Sequence, residues 1–132
     1  MDSARARTKI LVVDDDPLHR GLVRAIFEED PYEVIEAADA AEGLETALSR
    51  LPQLIVVDMR MTRMSGLEFL QTARAHPGIK HIPIVVSTAL SSSPQGLECL
   101  RSGAAAYFEK PLDPEPFRRR VKQLLGHPLD PN

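Results

Sequence analysis

The sequence predicts an α/β domain in which five parallel strands form one doubly wound sheet with five helices on its two faces. Three observations carry that prediction. Short aliphatic runs alternate with amphipathic segments along the whole chain, as in repeated βα units. Three of the runs are apolar almost without interruption, which is how strands covered on both faces read. Aspartates, a threonine and a lysine stand at run ends, and ligand sites in open parallel sheets lie beyond the carboxyl ends of the strands.

The first run, "KILVV" at 9–13, stops at Asp14, Asp15 and Asp16. Asp16 precedes Pro17 and is placed to cap the first helix, with proline at the first helical position. "EVIEA" at 33–37 carries charge at two positions, which suits the outermost strand. Ala41, Leu44, Ala47, Leu48 and Leu51 then recur at helical spacing, and Asp39 with Glu42 has the form of a capping box. "LIVVD" at 54–58 ends in Asp58, and Ser65 with Glu68 repeats the capping pattern for the third helix.

"PIVVS" at 83–87 is followed by Thr88, and Ser93 before Pro94 opens a fourth helix. "AAYFE" at 105–109 runs into Lys110 and Pro111. Asp113 before Pro114 opens the last helix, which puts Phe117, Val121, Leu124 and Leu125 on one face to dock on the sheet. Its run "RRRVK" reads as a solvated face. The methionines of "RMTRMSGLEFL" have spacing that suits packing.

A chain of 132 residues with 43% apolar content buries one core, so residues 1–8 read as an extension, 9–125 as the domain and 126–132 as a turn-rich tail. If this is the natural chain, no separate output domain is expected. A net charge of -3 and a pI near 5.8 leave no electrostatic footprint for nucleic acid. Cys99 has no second cysteine to pair with, which excludes a disulfide framework or thiolate cluster and fits a reducing compartment. The first apolar run is too short for a signal-peptide core and no run approaches membrane-spanning length, so the expected location is cytoplasmic.

A right-handed winding that sets the first and third strands side by side brings Asp14, Asp15 and Asp58 to one pocket. Unit charges about 4 Å apart repel by roughly 4 kcal/mol at an effective dielectric of about 20, so three ionised carboxylates call for a cation or protons. A hard divalent ion such as Mg2+ suits oxygen ligands and keeps several waters. Thr88 supplies a hydroxyl donor and Lys110 a compact positive charge, a set fitted to a metal-assisted phosphoryl group. His19, His76, His81 and His127 show no metal-ligand spacing and receive no role at the site.

The motifs "ILVVDDDP", "LIVVDMRMTRMSGLEFL", "IPIVVSTA" and "AAYFEKP", in that order and at those separations, resemble a response regulator receiver domain from about Lys9 to Leu125. The resemblance implies a flavodoxin-like fold with strand order 2-1-3-4-5. It also implies an aspartate that takes a phosphoryl group from a sensor histidine kinase or histidine phosphotransfer protein, with Mg2+ or Mn2+. Asp58 then resembles the phosphoacceptor, Asp15 a direct metal ligand and Asp14 its mostly water-mediated companion, with the backbone carbonyl of Arg60 as the remaining ligand. Thr88 and Lys110 resemble the pair that contacts the phosphoryl oxygens, and Thr88 and Tyr107 resemble the switch residues.

Gly66 matches the glycine after the acceptor loop, while Arg60, Ala89 and Leu90 occupy positions that modulate access and phosphoryl lifetime in such domains. Thr62 stands where most members have proline, and Ser65 replaces a common aspartate. The implied output is a changed face made by the fourth helix, fifth strand and last helix, offered to a downstream protein or a second copy of the chain. The resemblance implies a signalling phosphoacceptor rather than an enzyme, with slow loss of its own phosphate as its expected turnover.

Two other readings remain. One is an interaction module of the same fold that works without phosphorylation, which Thr62 and Arg60 keep open. The other is an aspartate-nucleophile phosphatase, which typically has a second aspartate two residues after the nucleophile, where this chain has Arg60.

Overall fold

The computed structural model describes residues 7–61, 63–89, 98 and 100–128. Its elements run β1 (Thr8–Val13), α1 (Pro17–Ile26), β2 (Tyr32–Ala37), α2 (Ala40–Arg50), β3 (Leu54–Asp58), α3 (Gly66–Ala75), β4 (Ile84–Thr88), β5 (Ala106–Glu109) and α4 (Pro114–Leu125). The strands form one parallel sheet in the order β2-β1-β3-β4-β5, with the charged β2 at an edge as the sequence predicts. The helix expected between β4 and β5 falls largely outside the described residues, as do its proposed cap Ser93 and Cys99; Glu98, Leu100 and Arg101 have helical backbone. The last predicted helix is therefore α4 here.

Alternation along each strand divides the core. Leu11, Val13, Ile55, Val57, Ile84 and Val86 face Phe69, Leu70 and Ala73 of α3, whereas Ile10, Val12, Leu54, Val56 and Val85 face Val23 of α1 and Phe117 and Val121 of α4. Both sets are needed, which is why the strands are apolar without a break. Each such side chain contributes about 1.5–3 kcal/mol on full burial.

Three helix starts follow the predicted capping. The Leu18 N–H donates to Asp16 Oδ1 at 2.9 Å, the Glu42 N–H to Asp39 Oδ1 at 2.8 Å, and Ser65 with Glu68 forms a complete capping box. The Glu42 carboxylate returns to the Ala38 N–H rather than to that of Asp39, so that box is shifted by one residue. Asp113, by contrast, makes no side-chain cap bond at α4.

Two other expectations are corrected. On α2 the buried residues are Ala40, Gly43 and Ala47, with Leu44 packed at their margin; Ala41, Leu48 and Leu51 are exposed. Small residues face the sheet because α2 approaches β1 closely: a Cβ on Gly43 would lie 2.7 Å from Val13 Cγ2. Nor is "RRRVK" simply solvated. Arg118 makes two hydrogen bonds to the buried Asp30, at 2.9 and 2.8 Å, and Lys122 a third at 3.0 Å, which leaves Arg119 and Arg120 on the surface.

Candidate functional site

Parallel strands with β1 beside β3 carry Asp14 and Asp58 to the same edge of the sheet, Val13 lying beside Val57 one residue earlier. Asp14, Asp15 and Asp58 each offer a carboxylate oxygen, all within 4.8 Å of one another. Asp14 and Asp58 are buried and Asp15 is exposed, so the cluster opens to solvent on one side. An all-oxygen donor set of this kind fits a hard divalent ion.

The loops are fastened from beneath. The Met59 N–H donates to the Ser87 carbonyl and the Gly66 N–H to the Met59 carbonyl, both at 2.8 Å, so the segment after Asp58 folds back over the strand end. A Cβ on Gly66 would stand 2.5 Å from the Asp58 carbonyl oxygen, so no larger residue fits that approach without displacement. The Lys110 N–H donates to the Thr88 carbonyl at 2.7 Å and the Lys110–Pro111 bond is cis.

Lys110 links the two buried acids, its Nζ 3.1 Å from Asp14 Oδ2 and 3.2 Å from Asp58 Oδ1. The acids respond differently. Burial would raise Asp14, but hydrogen bonds from His19 and the Asp16 N–H, with the Lys110 charge, outweigh it and hold the carboxyl below its usual range. Burial and then the Asp14 charge push Asp58 above that range, despite Lys110 and the Arg60 N–H. Burial also opposes the Lys110 charge, yet Asp58 and Asp14 together keep its ammonium above its ordinary value.

Thr88 is fully buried at the end of β4, Ala89 is exposed beside it, and the Arg60 side chain is exposed. Tyr107 is partly buried against the α3 side of the core, as are Met61 and Met64. Thr62 and Leu90 lie outside the described residues.

One residue denied a role by its spacing belongs here. His19 is buried on α1 and its Nδ1 lies 2.6 Å from Asp14 Oδ2. A search for ligand spacing misses it because the imidazole approaches from α1, across the turn that leaves β1. Its available signal is a polar side chain four residues before the buried Val23, on the inward face of the helix. Among the described residues His19 Nε2 and Ser87 Oγ are buried without hydrogen-bond partners.

Residues 10–122 match the response regulator receiver domain. The chain belongs to the response regulator receiver family. It is 37% identical over 126 residues to an uncharacterized 14.6 kDa protein of Leptolyngbya boryana, across 95% of this chain and 96% of that one. Its structure is similar to the chemotaxis protein CheY4 of Vibrio cholerae, with a TM-score of 0.83 and 31% identity over 90% of this chain and 99% of that one. It is also similar to the receiver domain of a sensor histidine kinase from Pseudomonas aeruginosa PAO1, with a TM-score of 0.83 and 25% identity over 92% and 99%.

That last receiver was solved with a magnesium ion in its active-site cleft. In the present receiver, Asp14, Asp15 and Asp58 form the acidic cluster typical of a phosphoacceptor site, consistent with such an ion. Receivers of this family act in two-component signalling and are generally not enzymes. Among the described residues no helix is long and apolar enough to cross a membrane.

Proposed function

We propose that the protein is a phosphoacceptor of a two-component or phosphorelay system, taking a phosphoryl group from a sensor histidine kinase or a histidine phosphotransfer protein onto Asp58. The observation that carries this reading is a buried carboxylate 3.2 Å from the ammonium of Lys110, with two further carboxylates alongside. Mg2+ or Mn2+, held by Asp14, Asp15, Asp58 and the Arg60 carbonyl, would supply neutralising charge for the incoming group.

An Asp58 oxygen attacks phosphorus, the new P–O bond forms as the P–N bond of the donor phosphohistidine breaks, and the imidazole takes the departing electron pair. Lys110 turns from Asp14 towards the phosphoryl oxygens, and Thr88 donates its hydroxyl to one of them. The donor has a surface to land on. Leu18, 82% exposed, joins Leu22, His19 and Pro111 around a groove of about 370 Å³ that includes Lys110.

The output follows from the added charge, which biases Thr88 and Tyr107 and so changes the face of β5, α4 and the helix before β5. Arg119 and Arg120 are the cations of the "RRRVK" run that remain exposed for a downstream protein or a second copy. Intact mass after incubation with acetyl phosphate tests the chemistry. One Mg2+-dependent phosphoryl addition to the wild type, absent from Asp58→Ala, is expected. Folded wild type that gains none would leave the phosphorylation-independent interaction module as the better account.

A further inference from the structure

Asp14 is held by three different groups. Its Oδ1 accepts from the Asp16 N–H at 2.9 Å, and its Oδ2 meets His19 Nδ1 at 2.6 Å and Lys110 Nζ at 3.1 Å. These contacts differ in permanence. Lys110 is shared with Asp58 and, on the phosphoacceptor reading, would give up Asp14 to a Mg2+ ion or a phosphoryl group entering the site. His19 has no second task among the described residues, where its other ring nitrogen is buried and unpartnered.

We propose that His19 is a positioning residue for the metal site: its Nδ1–H donates to Asp14 Oδ2 and fixes the carboxylate, so that Asp14 stays aimed when Lys110 leaves. The inference rests on the phosphoacceptor reading above and deepens it. A purely packing role explains the imidazole poorly. His19 lies one helical turn before Val23 on the face that meets the sheet, and an aliphatic side chain there would fill the wall without stranding Nε2. What imidazole adds at this position is a donor aimed at Asp14. A carboxylate only accepts, so the proton of this bond sits on Nδ1.

The comparison that distinguishes the roles is His19→Leu against His19→Asn. Leucine keeps the bulk without the donor, whereas the asparagine amide nitrogen occupies about the place of Nδ1. Mg2+ affinity is read by isothermal titration calorimetry on unphosphorylated protein whose fold is checked by circular dichroism. Removing a group that orients a metal ligand typically weakens binding about 10–100-fold, so the leucine variant should lose at least about tenfold and the asparagine variant no more than about threefold.

A folded leucine variant that binds Mg2+ as the wild type does overturns the proposal, and so does an asparagine variant as weak as leucine. If leucine does not fold, His19→Met, unbranched and more adaptable, is held to the same limits. Histidine-selective 15N NMR of the wild type needs no variant. It should show His19 protonated on Nδ1 and a response to Mg2+ at that resonance; the opposite tautomer, or no response with Mg2+ bound, overturns the assignment. Wild type that binds no Mg2+ fails the phosphoacceptor reading itself, an outcome distinct from wild type that binds and is indifferent to residue 19.

Discussion

Asp30 and Asp58 are both buried carboxylates with cationic partners, Asp30 just before the amino end of β2 and Asp58 at the carboxyl end of β3. Asp30 is saturated: Arg118 grips both its oxygens and Lys122 adds a third bond, so these contacts outweigh burial and hold its carboxyl below the usual range. Asp58 has a shared lysine and the Arg60 N–H but faces another acid, so burial and repulsion push it the other way. The difference teaches where the molecule keeps free energy in reserve. One end of the sheet is settled by its own side chains, whereas the other holds charge that an incoming cation and phosphoryl group would rearrange.

The largest effect expected is at the settled end. Asp30→Ala leaves Arg118 and Lys122 without their shared acid and should cost about 3 kcal/mol, the lower end for a broken buried pair since both cations keep some water. Urea unfolding reads it, and a loss within error of zero would remove the contrast. Gly66→Ala comes next, at roughly 1–3 kcal/mol, because its methyl would press on the Asp58 carbonyl and the Met59 backbone. It should also slow acetyl phosphate labelling, and a variant equal to wild type in both respects would show that this loop gives way easily.

Asp58→Asn should act in the opposite direction, raising stability by roughly 0.5–2 kcal/mol at neutral pH, as relief of a functional site commonly does. The pH dependences then diverge. Asp58 has its pKa raised by folding, so it favours the folded state below the ordinary carboxylate value of 3.8 and loses that contribution as pH rises through its folded value. The gain from Asp58→Asn should therefore fade on acidification. Asp30 has its pKa lowered, so its contribution is present above 3.8 and disappears as pH falls through its folded value; Asp30→Asn should flatten that acid limb. Matching acid limbs in the wild type and Asp30→Asn would contradict the assignment.

The smallest effect concerns Arg63, which holds φ at +74° in the loop after Asp58. Arg63→Gly should relieve about 1 kcal/mol of left-handed strain, less the entropy that glycine loses on folding, and raise the melting midpoint by a few degrees at most.

Much of this arrangement was legible in the chain because it lies along strands. The nearly unbroken runs ending at Asp14, Asp58 and Thr88 announced a parallel sheet and, with the run before Lys110, the edge where its acids gather. The charged positions of "EVIEA" placed β2 outside. What spacing could not supply were contacts made across elements. Arg118 meets Asp30 from 88 residues away, so its run looked like surface charge. His19 reaches Asp14 through the turn between β1 and α1, and no ligand pattern along the sequence encodes that approach. On α2 the larger leucines drew the predicted face outward, while the close approach of α2 to β1 turned Ala40, Gly43 and Ala47 inward.

The most direct test of the contrast between the two ends is the stability that Mg2+ adds, read as the urea midpoint with and without the ion for wild type, Asp58→Asn and Asp30→Asn. At about a hundredfold excess over its dissociation constant a native-state ligand adds about 2.7 kcal/mol. Wild type and Asp30→Asn should show the full increment and Asp58→Asn less than half of it. Equal increments in all three, or none in the wild type, would contradict the claim that the Asp58 end of the sheet waits for a cation.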